Sequence, residues 1–215
     1  MMELAADLSA IMEAVQANLS AKHRAREQAL GLCREVIRLS ANAIRSVHRG
    51  EYSRSRELID AGSLRLREVE TALAEHADIY HAGFVHDAQK EFAEASLTLA
   101  LVQGLPLPSP AELGVGNAAY LNGMGESVGE LRRSLLDSLR SGDVPRCEAH
   151  LAAMDEIYGA LVTVDYPDAM TGGLRRTTDV TRGILEKTRG DLTVAAQQYT
   201  LERQIQAFER RLDSA

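Results

Sequence analysis

No proline occurs before Pro106, and apolar side chains recur through that whole stretch at the three- and four-residue spacing of a helix. A proline inside a helix removes a backbone donor and clashes with the preceding turn, so its absence leaves long uninterrupted helices open to this half of the chain. The pattern predicts helices over about 5–49, ended near Gly50, then about 52–77 and about 79–103. Leu105-Pro-Leu-Pro-Ser-Pro110, with Gly114 and Gly116 behind it, is the one clear break. It reads as a Pro/Gly loop at about 104–116 joining two halves of a single helical domain, 1–215. Four further helices are expected at about 117–140, 145–164, 171–189 and 191–213, punctuated by Gly142-Asp-Val-Pro145, Asp165-Tyr-Pro167, Gly172-Gly173 and Gly190-Asp191. With only 4% aromatic residues and no Trp, the chain favours helix–helix packing over a sheet core. The fold class expected is all-α, a seven-helix bundle of long antiparallel helices.

Cys33 and Cys147 are too few and too far apart for a disulfide framework or a thiolate metal site, and read as buried thiols in a reducing compartment. No apolar run approaches the roughly 18 residues of a membrane span, and the N-terminus lacks the basic and apolar segments of a leader. A soluble, cytoplasmic protein with no membrane partner is expected. The formal charge of −7 argues against nucleic-acid binding over the whole surface and confines any phosphate-binding region to a local basic patch.

The segment Lys90-Glu-Phe-Ala-Glu-Ala-Ser-Leu-Thr-Leu-Ala-Leu-Val102 is apolar nearly all the way round, yet it carries Glu91 and Glu94. A carboxylate drawn into a core or an assembly must be paired, neutralised or bound to a cation. Asp87, Glu91, Glu94 and Thr98 share one helical stripe beside the apolar face of Phe84, Ala88, Phe92, Ala95, Leu99 and Val102. These acids read either as solvated surface or as a cation site. Glu126 and Glu130 form a second pair, one turn apart, opposite the apolar stripe of Leu121, Met124, Val128, Leu131, Leu135 and Leu139. Alone that pair looks solvent-facing; a functional reading requires its side of the helix to meet a neighbour or a cavity. Oxygen donors of this kind suit a hard cation such as Mg²⁺, which activates water and stabilises a phosphoryl transition state. Gly123, Gly125 and Gly129, inside the same helical pattern, are expected to permit close helix approach.

Arg24, Arg34, Arg38, Arg45 and Arg49 fall within an arc of roughly 80° on the first helix, opposite Leu32, Val36, Leu39, Ala43 and Val47. Such a stripe is either a solvated face with ion pairs or a surface that tracks phosphates. Arg175, Arg182 and Arg189, with Lys187 nearby, form a second basic set to which the solvated reading applies more strongly. His81 and His86 lie just upstream of the acidic pair and could contact phosphates or bases. Few aromatics are available for base stacking, no Glu-x-x-His pair of a di-iron bundle occurs, and no Ser-His-Asp or Cys-His signature is present.

Several segments, in order, resemble the translin and Trax family. Leu32-Cys-Arg-Glu-Val-Ile-Arg-Leu-Ser-Ala-Asn-Ala-Ile-Arg-Ser-Val-His-Arg49 is similar to its first long helix. Lys90-Glu-Phe-Ala-Glu-Ala95 resembles the Trax Gln-Glu-Tyr-Val-Glu-Ala element. Tyr120-Leu-Asn-Gly-Met-Gly-Glu-Ser-Val-Gly-Glu-Leu-Arg132 resembles its Tyr-Leu-x-Gly…Gly-Glu-Leu helix, and Ser141-Gly-Asp143 and Glu156-Ile-Tyr158 also fit. The resemblance implies a subunit of a closed hollow homo-oligomer, an octamer, that encloses single-stranded RNA or DNA. It further implies a Mg²⁺- or Mn²⁺-dependent endoribonuclease site built from Glu91, Glu94 and Glu126, with Glu130 in support. This chain departs from Trax in having Glu126 where Trax has an aspartate, one methylene shorter. Arg34, Arg38, Arg45, Arg49, His81, His86 and Lys90 are the implied nucleic-acid contacts. The rival expectations are a non-catalytic, translin-like shell that binds single strands, and a helical adaptor whose arginine stripe binds acidic protein.

Overall fold

The computed structural model describes residues 2–212, which form nine helices and no strand among the described residues. From Ala29 onward the first helix, α1 (Met2–His48), buries Ala29, Cys33, Val36, Ser40, Ala43 and Val47, a stripe at helical period. Gly50, with a left-handed φ of 74°, turns the chain back. Helix α2 (Tyr52–Ala72) then lays Ser55, Leu58, Gly62, Leu66 and Val69 against that stripe. A short turn of helix, α3 (Ala77–Tyr80), is tied to α1 by the Lys22–Asp78 ion pair at 2.7 Å. Helix α4 (Gly83–Gln103) is buried almost all round from Phe92 to Val102 and ends at Gly104, again left-handed at φ 65°.

The Pro/Gly loop contains α5 (Pro110–Leu113), a single turn started by a capping box in which Ser109 and Glu112 satisfy each other's backbone N–H groups. Helix α6 (Asn117–Arg140) packs along α4, and α7 (Val144–Val162) follows from an Asp143 cap that accepts the Arg146 N–H at 3.2 Å. A turn, α8 (Asp168–Thr171), and two left-handed glycines, Gly172 and Gly173, make an elbow into α9 (Leu174–Leu212). Among the described residues two large apolar clusters and two smaller ones result, and α4 takes part in both large ones. Phe92 and Leu97 of α4 anchor one with α1 and α2, while Leu99 and Val102 of α4 join the other with α6, α7 and α9.

The all-α expectation holds, and its helix boundaries need three corrections. The second helix stops at Ala72, and the third begins at Gly83 after the separate α3 turn. The two helices expected at 171–189 and 191–213 are one, α9, running from Leu174 through Gly190; residue 213 lies outside the described residues. Gly190 does not adopt a positive φ. Arg132 of α6 donates to Thr188 Oγ1 at 2.8 Å and to the Asp191 carboxylate at 2.6 Å, gripping α9 on both sides of that glycine. One mid-helix glycine costs about 1 kcal/mol relative to Ala, which such a brace offsets. Cys33 and Cys147 are buried and unpaired, as expected. Among the described residues no helix is long and apolar enough to cross a membrane.

Both long helices overhang the bundle. Every residue from 4 to 20 on α1 is exposed, including Leu4, Leu8, Ile11, Val15 and Leu19. On α9, Val194, Leu201, Ile205 and Phe208 are likewise exposed. Each set is an apolar stripe that a single chain leaves uncovered.

Candidate metal centre

Helix α6 reaches α4 closely because Gly123 carries no side chain: a methyl there would lie 2.6 Å from the Lys90 carbonyl oxygen and 2.9 Å from both Ala93 Cβ and Glu94 N. That approach turns the polar side of α6 toward the acidic stripe of α4. One carboxylate oxygen each from Glu91, Glu94 and Glu126 then lies within 4.8 Å of the others. The three are partly buried, so Glu126 is not the solvent-facing residue its own helix suggests.

Burial and the negative charges of Glu126, Glu91 and Glu130 push the Glu94 carboxyl up to about 8. Glu91 is also raised, chiefly by burial and then by Glu126 and Asp87 against the opposing pull of Lys90. Fully ionised, the trio would carry more negative charge than the one ammonium beside it neutralises, which is why the fold disfavours its ionisation. A hard divalent cation would relieve that excess, and three carboxylate donors with room for water match what Mg²⁺ or Mn²⁺ requires. The residues therefore fit the metal.

Lys90 takes an unexpected place. Its ammonium lies 2.7 Å from Glu126 and 3.8 Å from Glu91, within the acidic cluster. Burial acts to lower its pKa, but the Glu126 hydrogen bond and charge, with Glu91 and Asp87, outweigh that and hold it above the usual lysine value. A dication entering the cluster must displace this resident charge. Lys90→Met is accordingly expected to tighten Mn²⁺ binding by roughly tenfold, since the competing ion pair is lost while the donors remain. Isothermal titration with Mn²⁺ measures it, and an unaltered affinity would show that the ammonium does not compete.

Glu130 is not drawn into the trio. Its carboxylate instead pairs with His48 Nε2 at the end of α1, and it acts on Glu94 through its charge alone. Residue spacing does not connect His48 with Glu130, because they lie on helices far apart in the chain. A cleft of about 630 Å³ opens beside the acids, lined by His86, Asp87, Lys90 and Glu94 from α4, Asn122, Gly125 and Glu126 from α6, and Gly172, Gly173, Arg176 and Thr177 from the elbow. Of the expected nucleic-acid contacts, only His86 and Lys90 line it. Arg34, Arg38 and Arg45 are exposed along α1 and Arg49 just past its end, all outside this cleft, and His81 is exposed edge-on to Tyr80. Arg182 and Arg189 of the second basic set pair with Glu186 and Asp155, while Arg175 lines a different groove.

No family model matches the chain. An uncharacterised protein of Methanocaldococcus jannaschii is 29% identical over 193 residues, covering 89% of this chain and 85% of that protein. Two solved structures of AfC3PO, one of them a complex with duplex RNA, are 31% and 32% identical, with TM-scores of 0.80 and 0.81. Each match covers 87% of this chain and 97% of the other. Apo-NeC3PO, 19% identical with a TM-score of 0.76, shares the fold over 86% of this chain and 96% of that one. These C3PO structures are of translin/Trax type, and at this identity and coverage the chain belongs to the translin/Trax family.

Proposed function

We propose that the protein is a metal-dependent endoribonuclease, of the catalytic Trax-like branch, that binds and cuts short single-stranded RNA inside a homo-oligomeric shell. The observation that carries this reading is the convergence of Glu91, Glu94 and Glu126 from two helices beside an open cleft. The complex of a 32% identical relative with duplex RNA supports RNA as the ligand class. Uncovered apolar stripes on α1 and α9 support assembly into a larger body. In this reading Glu91, Glu94 and Glu126 hold Mg²⁺ or Mn²⁺, with Glu130, braced by His48, adding negative charge one turn further along α6. When bound, the cation activates water and offsets the charge that develops on the phosphorus oxygens. His86 and Lys90 meet the strand in the cleft. Arg34, Arg38, Arg45, Arg49 and His81 contact its backbone elsewhere in the shell, without reading sequence.

A second reading, a non-catalytic translin-like protein that binds single-stranded RNA or DNA, is favoured by the Lys90–Glu126 pair, which can neutralise part of the cluster without metal. Labelled single-stranded RNA, duplex RNA and single-stranded DNA incubated with Mg²⁺ and with EDTA separate the two. Cleavage of the single-stranded RNA that requires Mg²⁺ and is lost in Glu126→Gln is the expected result. Binding that persists in EDTA with no metal-stimulated cutting would select the second reading. Light scattering on the same sample should give about 187 kDa, the mass of eight 23.4-kDa chains; a stable monomer would remove the enclosed shell.

A further inference from the structure

The wall of the cleft facing the acids is made by the α8–α9 elbow, a part of the chain that neither the acidic motifs nor the α1 arginines involve. Its position is held by Asn122 on the α6 floor. Buried to 3% exposure, Asn122 donates through Nδ2 to the Ala118 and Thr171 carbonyls, both at 2.8 Å, and accepts from Thr177 Oγ1 at 2.6 Å. A second tie lies at Gly172, where φ is 60° and a methyl would sit 3.0 Å from the His86 ring. That glycine is needed twice, once for its backbone and once for the imidazole packed over it. Gly125 removes a third obstacle, because a methyl there would collide with the Thr177 side chain. The elbow is therefore seated firmly against α4 and α6.

On this wall stands Arg176. It is exposed and, among the described residues, no ion pair or side-chain hydrogen bond engages it; Arg175 beside it is equally unpaired but lines a different groove, and Arg182 and Arg189 pair with carboxylates, so Arg176 is the one basic residue of α9 that lines this cleft. An uncommitted guanidinium on a rigid wall, in one cleft with a cation-binding acid cluster, is arranged for a ligand that carries a phosphate at each end of a short span. We propose that Arg176, with His86 beside Gly172, binds the phosphodiester next to the one presented to Glu91, Glu94 and Glu126, and so sets which bond of the strand lies over the acids. This rests on the nuclease reading above. The guanidinium fork donates to two phosphate oxygens in its plane, whereas an ammonium offers one point charge, so Arg and Lys should differ here.

The test uses the intact protein with Arg176→Ala, Arg176→Lys and the wild type. Fluorescence anisotropy in EDTA, over a range of salt, gives RNA affinity; cleavage in Mg²⁺ gives kcat, KM and product lengths; titration calorimetry gives Mn²⁺ affinity. Arg176→Ala should weaken binding by roughly tenfold for every oligonucleotide sequence and lower the salt slope by about one counterion. The KM should rise while Mn²⁺ affinity stays as in the wild type, product lengths should become less uniform, and Arg176→Lys should recover only part of the affinity. Unchanged affinity and salt slope in Arg176→Ala, in a protein whose wild type cleaves RNA with Mg²⁺, would overturn the Arg176 assignment and leave the nuclease reading intact. A wild type that shows neither Mg²⁺-dependent cleavage nor RNA binding would instead remove the nuclease reading, and the phosphate contact with it.

Discussion

Glu94→Gln is expected to lower metal-dependent cleavage on the order of 10³-fold while making the metal-free protein more resistant to heat at alkaline pH. The two effects share one cause. In the folded chain burial and three neighbouring carboxylates push the Glu94 carboxyl from 4.5 to about 8, so the folded state binds this proton more tightly than the unfolded state does. Stability without metal must then fall as pH rises from about 4.5 through about 8, where the folded protein is forced to ionise a group it holds neutral. The full shift would amount to roughly 5 kcal/mol, and water reaching a partly exposed side chain reduces this to about 2 kcal/mol. For a chain of this size that corresponds to a rise in Tm of about 4–8 °C at pH 9 and little change at pH 4. Differential scanning fluorimetry in EDTA across that range measures it. Mg²⁺ should raise the Tm of the wild type, because a ligand that binds only the folded state stabilises it, and should have little effect on Glu94→Gln. A variant that loses both activity and stability at every pH would mean that Glu94 serves the fold and not a cation.

Gly123→Ala is the second large effect. The added methyl would fall 2.6 Å from a carbonyl oxygen of α4 and 2.9 Å from a backbone nitrogen, positions that no side-chain rotation can relieve. Helices α4 and α6 must therefore separate. Overpacking of this kind costs about 1–3 kcal/mol, and the better helix propensity of Ala returns less than about 1 kcal/mol. Because the crowded atoms belong to Lys90, Ala93 and Glu94, the displacement acts on the cluster itself. Urea denaturation should show the lost stability, and Mn²⁺ titration below the transition should show weaker binding. Gly129→Ala, in the same helix, is the control: its methyl would meet only Ile184 Cδ1, at 3.9 Å, and should be neutral or slightly stabilising. If the two substitutions behave alike, close approach at Gly123 is not what brings the carboxylates together.

Much of this molecule was readable from residue order alone, because helix formation depends on spacing within a few residues. The proline-free half and the glycine at 50 mark most of the long helices and several of their ends, whereas the α5 turn with its Ser109–Glu112 capping box lies in a stretch that reads only as a Pro/Gly loop. Glu91 and Glu94 stood out because two acids interrupt a run whose other positions are apolar. Local spacing could not say that Gly190 lies within a helix, since the brace from Arg132 comes from another helix. Three glycines in α6 looked alike in the sequence, yet the packing requires close approach at Gly123 and Gly125 and not at Gly129.

The acids themselves divide in the same way. Helical period puts Glu126 and Glu130 on one side of α6, and nothing within that helix separates their roles. The tertiary structure sends Glu126 to Lys90 and the α4 acids and gives Glu130 to His48. It likewise makes Arg176 a wall of the cleft and leaves Arg34, Arg38, Arg45 and Arg49 outside it. The reason is physical: period decides which residues share a face, but which faces meet depends on how near two helices can come and where the elbow between them is anchored. Those are properties of side chains far apart in the chain, and they exist only once it has folded.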